Sequence, residues 1–518
     1  MATPVVVGVA DVVNRSLAPR DAREPLQLMV EAVQNAMSDT GLSPSSAQKL
    51  QSSITSVYTV RCWTWPYADL PELLAQRLGV TPLHKRASTQ GGHNPAMLFD
   101  EAARAISRGE SKVAVLAGGE ALASLQAWTK VNKGSPPPWT PVEQEVGAVF
   151  SPTTRDLEEG LGSIHSIGRP IQIYPLYENG FRAHRGQSLP DNNRESAQLY
   201  ASFARVAAQN PRAWTYGRPA ESADTIGKVT RKNRMICMPY PLLMNAYNTV
   251  NCAAACLLTS TDYAQELGIP SSKWIFPLGG AGTRDSLDFW ERPNFHSSPS
   301  ISHTLDAVLR VSGLTKDEID LYDIYSCFPI VPKLACHHLG LSILEPAKPI
   351  TLLGGLTFFG GAGNNYSMHA LTEMVRQLRH LHGPSRKGLI LANGGFMTYQ
   401  YALCLSNEPG SRQYPKQNPL PEVWPEDTAV PLDPEPQGEA TIETYTVEFG
   451  RDGAPVVGHI VGRTKSGGRR FLANHADVAT LQQLASASEE QIGKSGTVRQ
   501  HPGVRGKNLF SFTKENKL

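Results

Sequence analysis

The chain has 518 residues, 41% hydrophobic and 19% charged, with a formal net charge of +2. That length exceeds one usual core and predicts several domains, while the near-neutral charge gives no reason to expect a nucleic-acid or membrane partner. No apolar run reaches about 18 residues, the length a membrane-spanning helix needs.

Residues 1 to about 130 alternate strand and helix signals. Pro4 to Ala10 reads as a buried first strand, without the basic start and long apolar core of a signal peptide. Pro25 to Thr40 carries apolar residues at helical spacing, and Ile54 to Val60 is strand-like. Leu70 to Leu78 and Asn94 to Ser107 are predicted helices, each followed closely by glycine. Lys112 to Gly119 is a continuous apolar strand. Alternation of this kind predicts a mostly parallel sheet covered by helices.

Residues 130 to 240 are rich in Pro, Trp, Tyr, Arg and Asn, and the pattern predicts a loop subdomain with one helix, Arg194 to Ala208. Strand and helix signals then resume. They predict strands at Asn251 to Thr259, Ile319 to Tyr325, Thr351 to Phe359, Lys387 to Ala392 and Thr398 to Ser406. Helices are expected at Ser302 to Ser312, Val331 to Leu339 and Tyr366 to Leu381. Residues 407–439, with eight prolines, read as an extended solvated linker. Beyond it, alternating strands at 442–449 and 456–463 flank an Arg451-Asp-Gly turn, giving a small β-rich domain over 440–518 that resembles an OB barrel. The expected divisions are therefore 1–260, 261–406, 407–439 and 440–518.

Seven cysteines, an odd and scattered set, predict reduced thiols and no metal site. The C-terminal Asn516-Lys517-Leu518 approximates a Ser-Lys-Leu peroxisomal address, leaving peroxisome and cytoplasm as the expected locations. No G-x-G-x-x-G, P-loop or G-x-S-x-G frame is present.

Two segments concentrate polar and glycine residues after apolar runs: Asp323-Ile-Tyr-Ser-Cys-Phe-Pro329 and Gly354-Gly-Leu-Thr-Phe-Phe-Gly-Gly-Ala-Gly-Asn-Asn-Tyr-Ser-Met-His369. Gln90-Gly-Gly-His-Asn-Pro-Ala-Met-Leu98 opens a helix, and Ala392-Asn-Gly-Gly395 ends a strand. Together with the element order, these resemble the thiolase superfamily, Asp323 to Phe328 being similar to the His-Asp-Cys-Phe motif of its sterol-carrier-protein type. The appended β domain is similar to that of the thiolase-like proteins of type 1. The resemblance implies an α/β fold of two βαβαβαββ halves with an inserted loop domain, a CoA thioester as substrate or ligand with no tightly bound cofactor, and a homodimer.

The same resemblance puts Gly92 where the nucleophilic cysteine belongs, Gly360-Gly361-Ala362 where Gly-His-Pro belongs, and Ala392 or Asn393 at the second cysteine. A thiolase needs a cysteine thiolate, an activating histidine and oxyanion donors. The resemblance therefore implies a CoA-thioester-dependent acyltransferase with an atypical site, or a non-catalytic acyl-CoA-binding or assembly protein. Candidate catalytic residues are Cys327, His369, His93, Tyr325 and Asn393. Candidate ligand-binding residues are Asn245, Tyr247, Asn364 and Asn365. Cys327 reads either as a substitute nucleophile or as a small packed hydrophobe, and His369 as a base or a helical core residue.

Overall fold

The computed structural model describes residues 2–143, 160–381, 385–425 and 429–512. Asn516-Lys517-Leu518 lies outside the described residues. Among those described, no helix is long and apolar enough to cross a membrane.

Two sheets form the core. The first has the spatial order Pro4–Val13, Asn251–Ser260, Val113–Ala121, Ile54–Thr59, His84–Ala87; the first two junctions are antiparallel and the last two parallel. Val113–Ala121 is buried along its whole length, which is why Val113 to Gly119 is continuously apolar rather than alternating. The second sheet runs Phe276–Arg284, Tyr399–Ser406, Lys387–Gly394, Leu321–Ile324. A bridge between Val6 and Ile275 ties the two sheets together. The helices Asn94–Ser107 and Tyr366–His380 pack on each other and on strands of both sheets, forming a central layer. Pro25–Asp39 covers the first sheet and Pro299–Ser312 the second. This is the thiolase-like α/β architecture expected from the sequence.

Both central helices start beside the C-terminal ends of strands, so their first turns and the loops leaving Ile324 and Gly394 converge. Glycines make that convergence possible. Gly118 abuts the Asn365 side chain so closely that no Cβ fits between them.

The C-terminal strands Gly438–Phe449, Pro455–Thr464, Arg470–His475, Asn508–Phe512 and Ser495–Gln500 pair in a closed ring, a small five-stranded barrel. Its Glu448 pairs with Cys237, so two short strands, Met235–Cys237 and Tyr240–Pro241, extend the barrel's sheet into the core. Fully buried Arg470 completes the junction: it holds Glu443 within the barrel and donates to the Trp290, Arg292 and Pro293 carbonyls of the core.

Three expectations need correction. Thr351–Phe359 is not a strand: Gly354 and Gly355 both take positive φ (96° and 73°), and the Leu352 and Leu353 N–H groups bond the Asp323 carboxylate instead of a ladder. The loop subdomain contains a second long helix, Pro170–His184, besides Leu189–Gln209. The 407–439 linker is not simply solvated: Tyr414 is buried with its hydroxyl 2.6 Å from Asp100, and Val423 and Leu432 bridge to Arg284 and Arg470.

Candidate active site

A cavity of about 490 Å³ opens where the two strand ends meet. It is bounded by Tyr325, Cys327, Asn393, Asn245, Tyr247 and Asn248 among others. Of the nine residues singled out by sequence, five therefore meet in one place: Tyr325, Cys327, Asn393, Asn245 and Tyr247.

The other four serve neighbouring structure and do not line this cavity. His369 is fully buried, its Nδ1 2.5 Å from Asp11 on the first strand. Although burial raises the Asp11 pKa, Arg376 and His369 together hold its carboxyl well below the usual range. The imidazole is thus the partner of a core carboxylate, as the core reading of this helical residue has it, and does not line the cavity. His93 stands at the start of the Asn94–Ser107 helix without a side-chain capping bond, stacks on Tyr399 at 4.8 Å and fits against Gly91 and Gly394, neither of which could carry a Cβ there. Asn364 accepts from Gly91 N–H (2.9 Å) and donates to the Arg61 carbonyl and the Gln90 side chain, pinning the turn before that helix. Asn365 is buried against Gly118.

Two glycines near the cavity leave no room for a side chain. A Cβ on Gly92 would stand 2.5 Å from the Tyr325 hydroxyl and 2.6 Å from the Asn393 carbonyl oxygen, inside any possible contact distance. At Gly361 the Asn248 side-chain oxygen stands 2.4 Å from where a Cβ would be. Asn393 also lines the cavity. Its amide donates to the Tyr174 hydroxyl (2.9 Å) and faces Cys327 Sγ at 3.8 Å, and Gln400 donates to its oxygen (2.7 Å).

Cys327 is the thiol that lines the cavity. Burial pushes it up to about 12, against the weaker downward pull of the Tyr174 hydroxyl and nearby donors. No histidine lines the cavity among the described residues, and Arg234, which does, donates to the Met235 and Phe449 carbonyls. Tyr174, on the Pro170–His184 helix, stacks on Phe328 at 4.6 Å and accepts from Met397 N–H. Neither Tyr174 nor Asn248 was singled out from sequence. Tyr174 lies in the helix hidden by Pro175, and Asn248 sits in an unpatterned loop.

Asn245 donates to the Pro241 carbonyl (2.8 Å), and its buried Oδ1 has no hydrogen-bond partner among the described residues. Tyr247 stands half exposed at the mouth. An adjoining cavity of about 430 Å³ shares Leu242, Asn245, Ala246 and Tyr247 with the first and reaches Trp214 and Arg218. Both cavities are lined largely by apolar side chains, with Asn245 in the wall they share.

Behind the cavity wall, Glu120 supports Trp63. Its carboxylate accepts from Trp63 N–H (2.7 Å), Thr64 N–H (2.9 Å), the Thr64 hydroxyl (2.6 Å) and the Cys62 thiol (3.4 Å). Burial nevertheless raises its pKa from 4.5 to about 7, the donors pulling the other way. The folded state therefore keeps a proton that the unfolded chain has already lost. Stability should fall as pH rises from about 4.5 through 7, by about 3 kcal/mol for this group. Urea midpoints measured across that range check it, and Glu120→Gln should lose this part of the slope whatever its absolute stability.

Comparison with known proteins adds the following. The model of the thiolase-like protein type 1 additional C-terminal domain matches residues 419–502. A monomeric SCP2-thiolase-like protein type 1 from Mycobacterium smegmatis has 30% identity and a TM-score of 0.78, with 99% of each chain covered. The Ltp2-ChsH2(DUF35) aldolase covers 79% of this chain and 98% of its own, at 19% identity and a TM-score of 0.58. An acetyl-CoA acetyltransferase from Syntrophomonas wolfei covers 79% of this chain and 100% of its own, at 14% identity and a TM-score of 0.55. These last two are likenesses of fold. Curated proteins give no match.

Proposed function

The chain belongs to the thiolase-like protein type 1 family of the thiolase superfamily, and from that premise we propose that it binds an acyl-CoA thioester in the Tyr325–Cys327–Asn393 cavity and handles it without a cysteinyl acyl-enzyme. One observation carries the reading: the space a nucleophile at position 92 would need is occupied by the Tyr325 hydroxyl and the Asn393 carbonyl. The thiol that remains, Cys327, is held in its protonated form by burial. On this reading Asn245 and Tyr247 flank the pantetheine arm, the adjoining cavity near Arg218 takes the rest of the carrier, and the acyl group lies against Tyr174, Tyr325 and Phe328.

A second reading follows from Tyr325 itself. Its hydroxyl borders the cavity at the first turn of the Asn94–Ser107 helix, where oriented N–H groups favour developing negative charge. There it could donate to a thioester oxygen during direct acyl transfer or carbon–carbon bond chemistry, the class of reaction that the name of the aldolase neighbour describes. Binding without turnover is the alternative outcome.

Calorimetric titration with acetyl-CoA and a longer acyl-CoA, with intact-mass analysis and a product assay, tests both readings. Saturable binding and an unchanged mass are expected, and Cys327→Ala should bind as the parent does. An acyl adduct that disappears in Cys327→Ala would overturn the non-covalent reading, and absence of binding would overturn both. Product formed by the parent but not by Tyr325→Phe would support the second.

A further inference from the structure

A second large cavity, of about 640 Å³, lies at the far end of the Asn94–Ser107 helix and shares no lining residue with the candidate active site. Its walls come from the exposed edge strand His84–Ala87, the C-terminal half of that helix, and the 416–418 segment of the linker. Five lysine and arginine side chains line it against two glutamates. The glutamates are engaged: Glu101 with Arg86 at 2.9 Å and Glu110 with Arg108 at 2.6 Å. Lys85 pairs outward with Glu72.

Arg104 sets this cavity apart from a solvated basic face. Arg104 lines the cavity although it is only 8% exposed, and its Nε–H, itself buried, has no hydrogen-bond partner among the described residues. One side of the guanidinium is occupied, by Asp100 at 2.5 Å and the Gly280 carbonyl at 3.2 Å. That aspartate also accepts the Tyr401 and Tyr414 hydroxyls. A buried guanidinium with an unmet donor beside an open cation-lined space calls for an anion with several acceptor oxygens. Lys416, at the rim on the linker, is joined to the helix by the Arg108 side chain, which donates to its carbonyl (3.1 Å).

We propose that this cavity binds a small phosphate-class polyanion between the Arg104 guanidinium and the Arg108–Lys416 rim. The site is independent of the acyl-thioester cavity. The volume admits either a bare pyrophosphate or the phosphate chain of a nucleotide, and the Tyr58 and Leu83 side chains offer a surface for an attached ring.

Titration of the full-length protein with sodium pyrophosphate, and separately with ATP, at fixed ionic strength tests this. Saturable binding at one site per chain is expected for at least one of them. Pyrophosphate binding assigns the site to the phosphates alone; binding of ATP without pyrophosphate assigns it to a nucleotide. The exposed pair Arg108→Ala/Lys416→Ala should weaken binding about tenfold or more, while Glu110→Gln, which removes a repelling carboxylate, should tighten it. Opposite shifts in two surface variants cannot come from unfolding, and acetyl-CoA affinity should change in neither. No saturable binding of either anion, or affinities unmoved by both variants, would overturn the proposal.

Discussion

Placing cysteine at position 92 is expected to yield a less stable protein and no acyl-enzyme. The naive expectation is the reverse, since the family resemblance puts Gly92 where the nucleophile belongs and a single exchange would seem to restore it. Geometry decides otherwise. The new Cβ would lie 2.5 Å from the Tyr325 hydroxyl and 2.6 Å from the Asn393 main-chain oxygen. A tyrosine can be cut back, but a carbonyl at the end of a paired strand cannot; Asn393 is held in register with Gln400 across the sheet. Gly92→Cys must therefore move the first turn of the central helix or the end of Lys387–Gly394. Overpacking of this kind costs about 1–3 kcal/mol. Adding Tyr325→Ala removes one obstacle and leaves the carbonyl, so the double variant should also fail to gain mass from acetyl-CoA. Intact-mass analysis and the urea midpoint check both halves. A stable Gly92→Cys protein that acylates would show that the site is a thiolase lacking only its sulfur, and the non-covalent reading would fall.

Which parts of this were legible before any coordinates follows from where each residue's partners lie. Val113–Ala121 and Asn94–Ser107 were readable because burial writes itself as a continuous apolar run or as a helical stripe. The Pro170–His184 helix was not. Its buried face includes Gln172, Glu178, Asn179 and Arg182, and their partners lie largely in other segments: Asn179 donates to the Tyr445 carbonyl of the barrel, and Arg182 pairs with Glu490. A helix that buries polar groups against a distant barrel has no apolar periodicity to read, and Pro175 argues against it locally. The same logic separates the site residues. Tyr325, Cys327 and Asn393 sit in segments whose strand-to-loop signature is local. His369 looked like a catalytic histidine because its partner, Asp11, is 358 residues away. Tyr174 and Asn248 enter the cavity from segments without a motif.

Lys333→Met is expected to be the most destabilising single exchange near the site, by about 3–5 kcal/mol. Lys333 lies one turn into the Ile330–Leu339 helix that follows Cys327, and no part of it reaches solvent. Its ammonium is 2.6 Å from Glu178, 3.0 Å from Glu195, 2.9 Å from the Asn192 oxygen and 2.8 Å from the Ser196 hydroxyl. The other Glu178 oxygen accepts the Tyr240 hydroxyl at 2.6 Å. With every donor met, the buried pair is tolerated; without the lysine, a fully buried carboxylate loses its counter-charge. Exchanging both partners, as Lys333→Met/Glu178→Met, should therefore cost less than the sum of the single exchanges, because neither charge is then left alone.

The consequence reaches the cavity through rings. Tyr240 stacks on Phe328 at 5.4 Å, and Phe328 on Tyr174 at 4.6 Å, the side chain whose hydroxyl faces Cys327 and Asn393. Loss of the lysine should loosen that stack and speed alkylation of Cys327 by iodoacetamide under conditions where the chain is still folded. An unfolding free energy within about 1 kcal/mol of the parent's, with an unchanged alkylation rate, would mean that the network neither supports the fold nor shapes the wall of the site. The coupling of the loop subdomain to the Cys327 turn through Lys333 would then have to be abandoned.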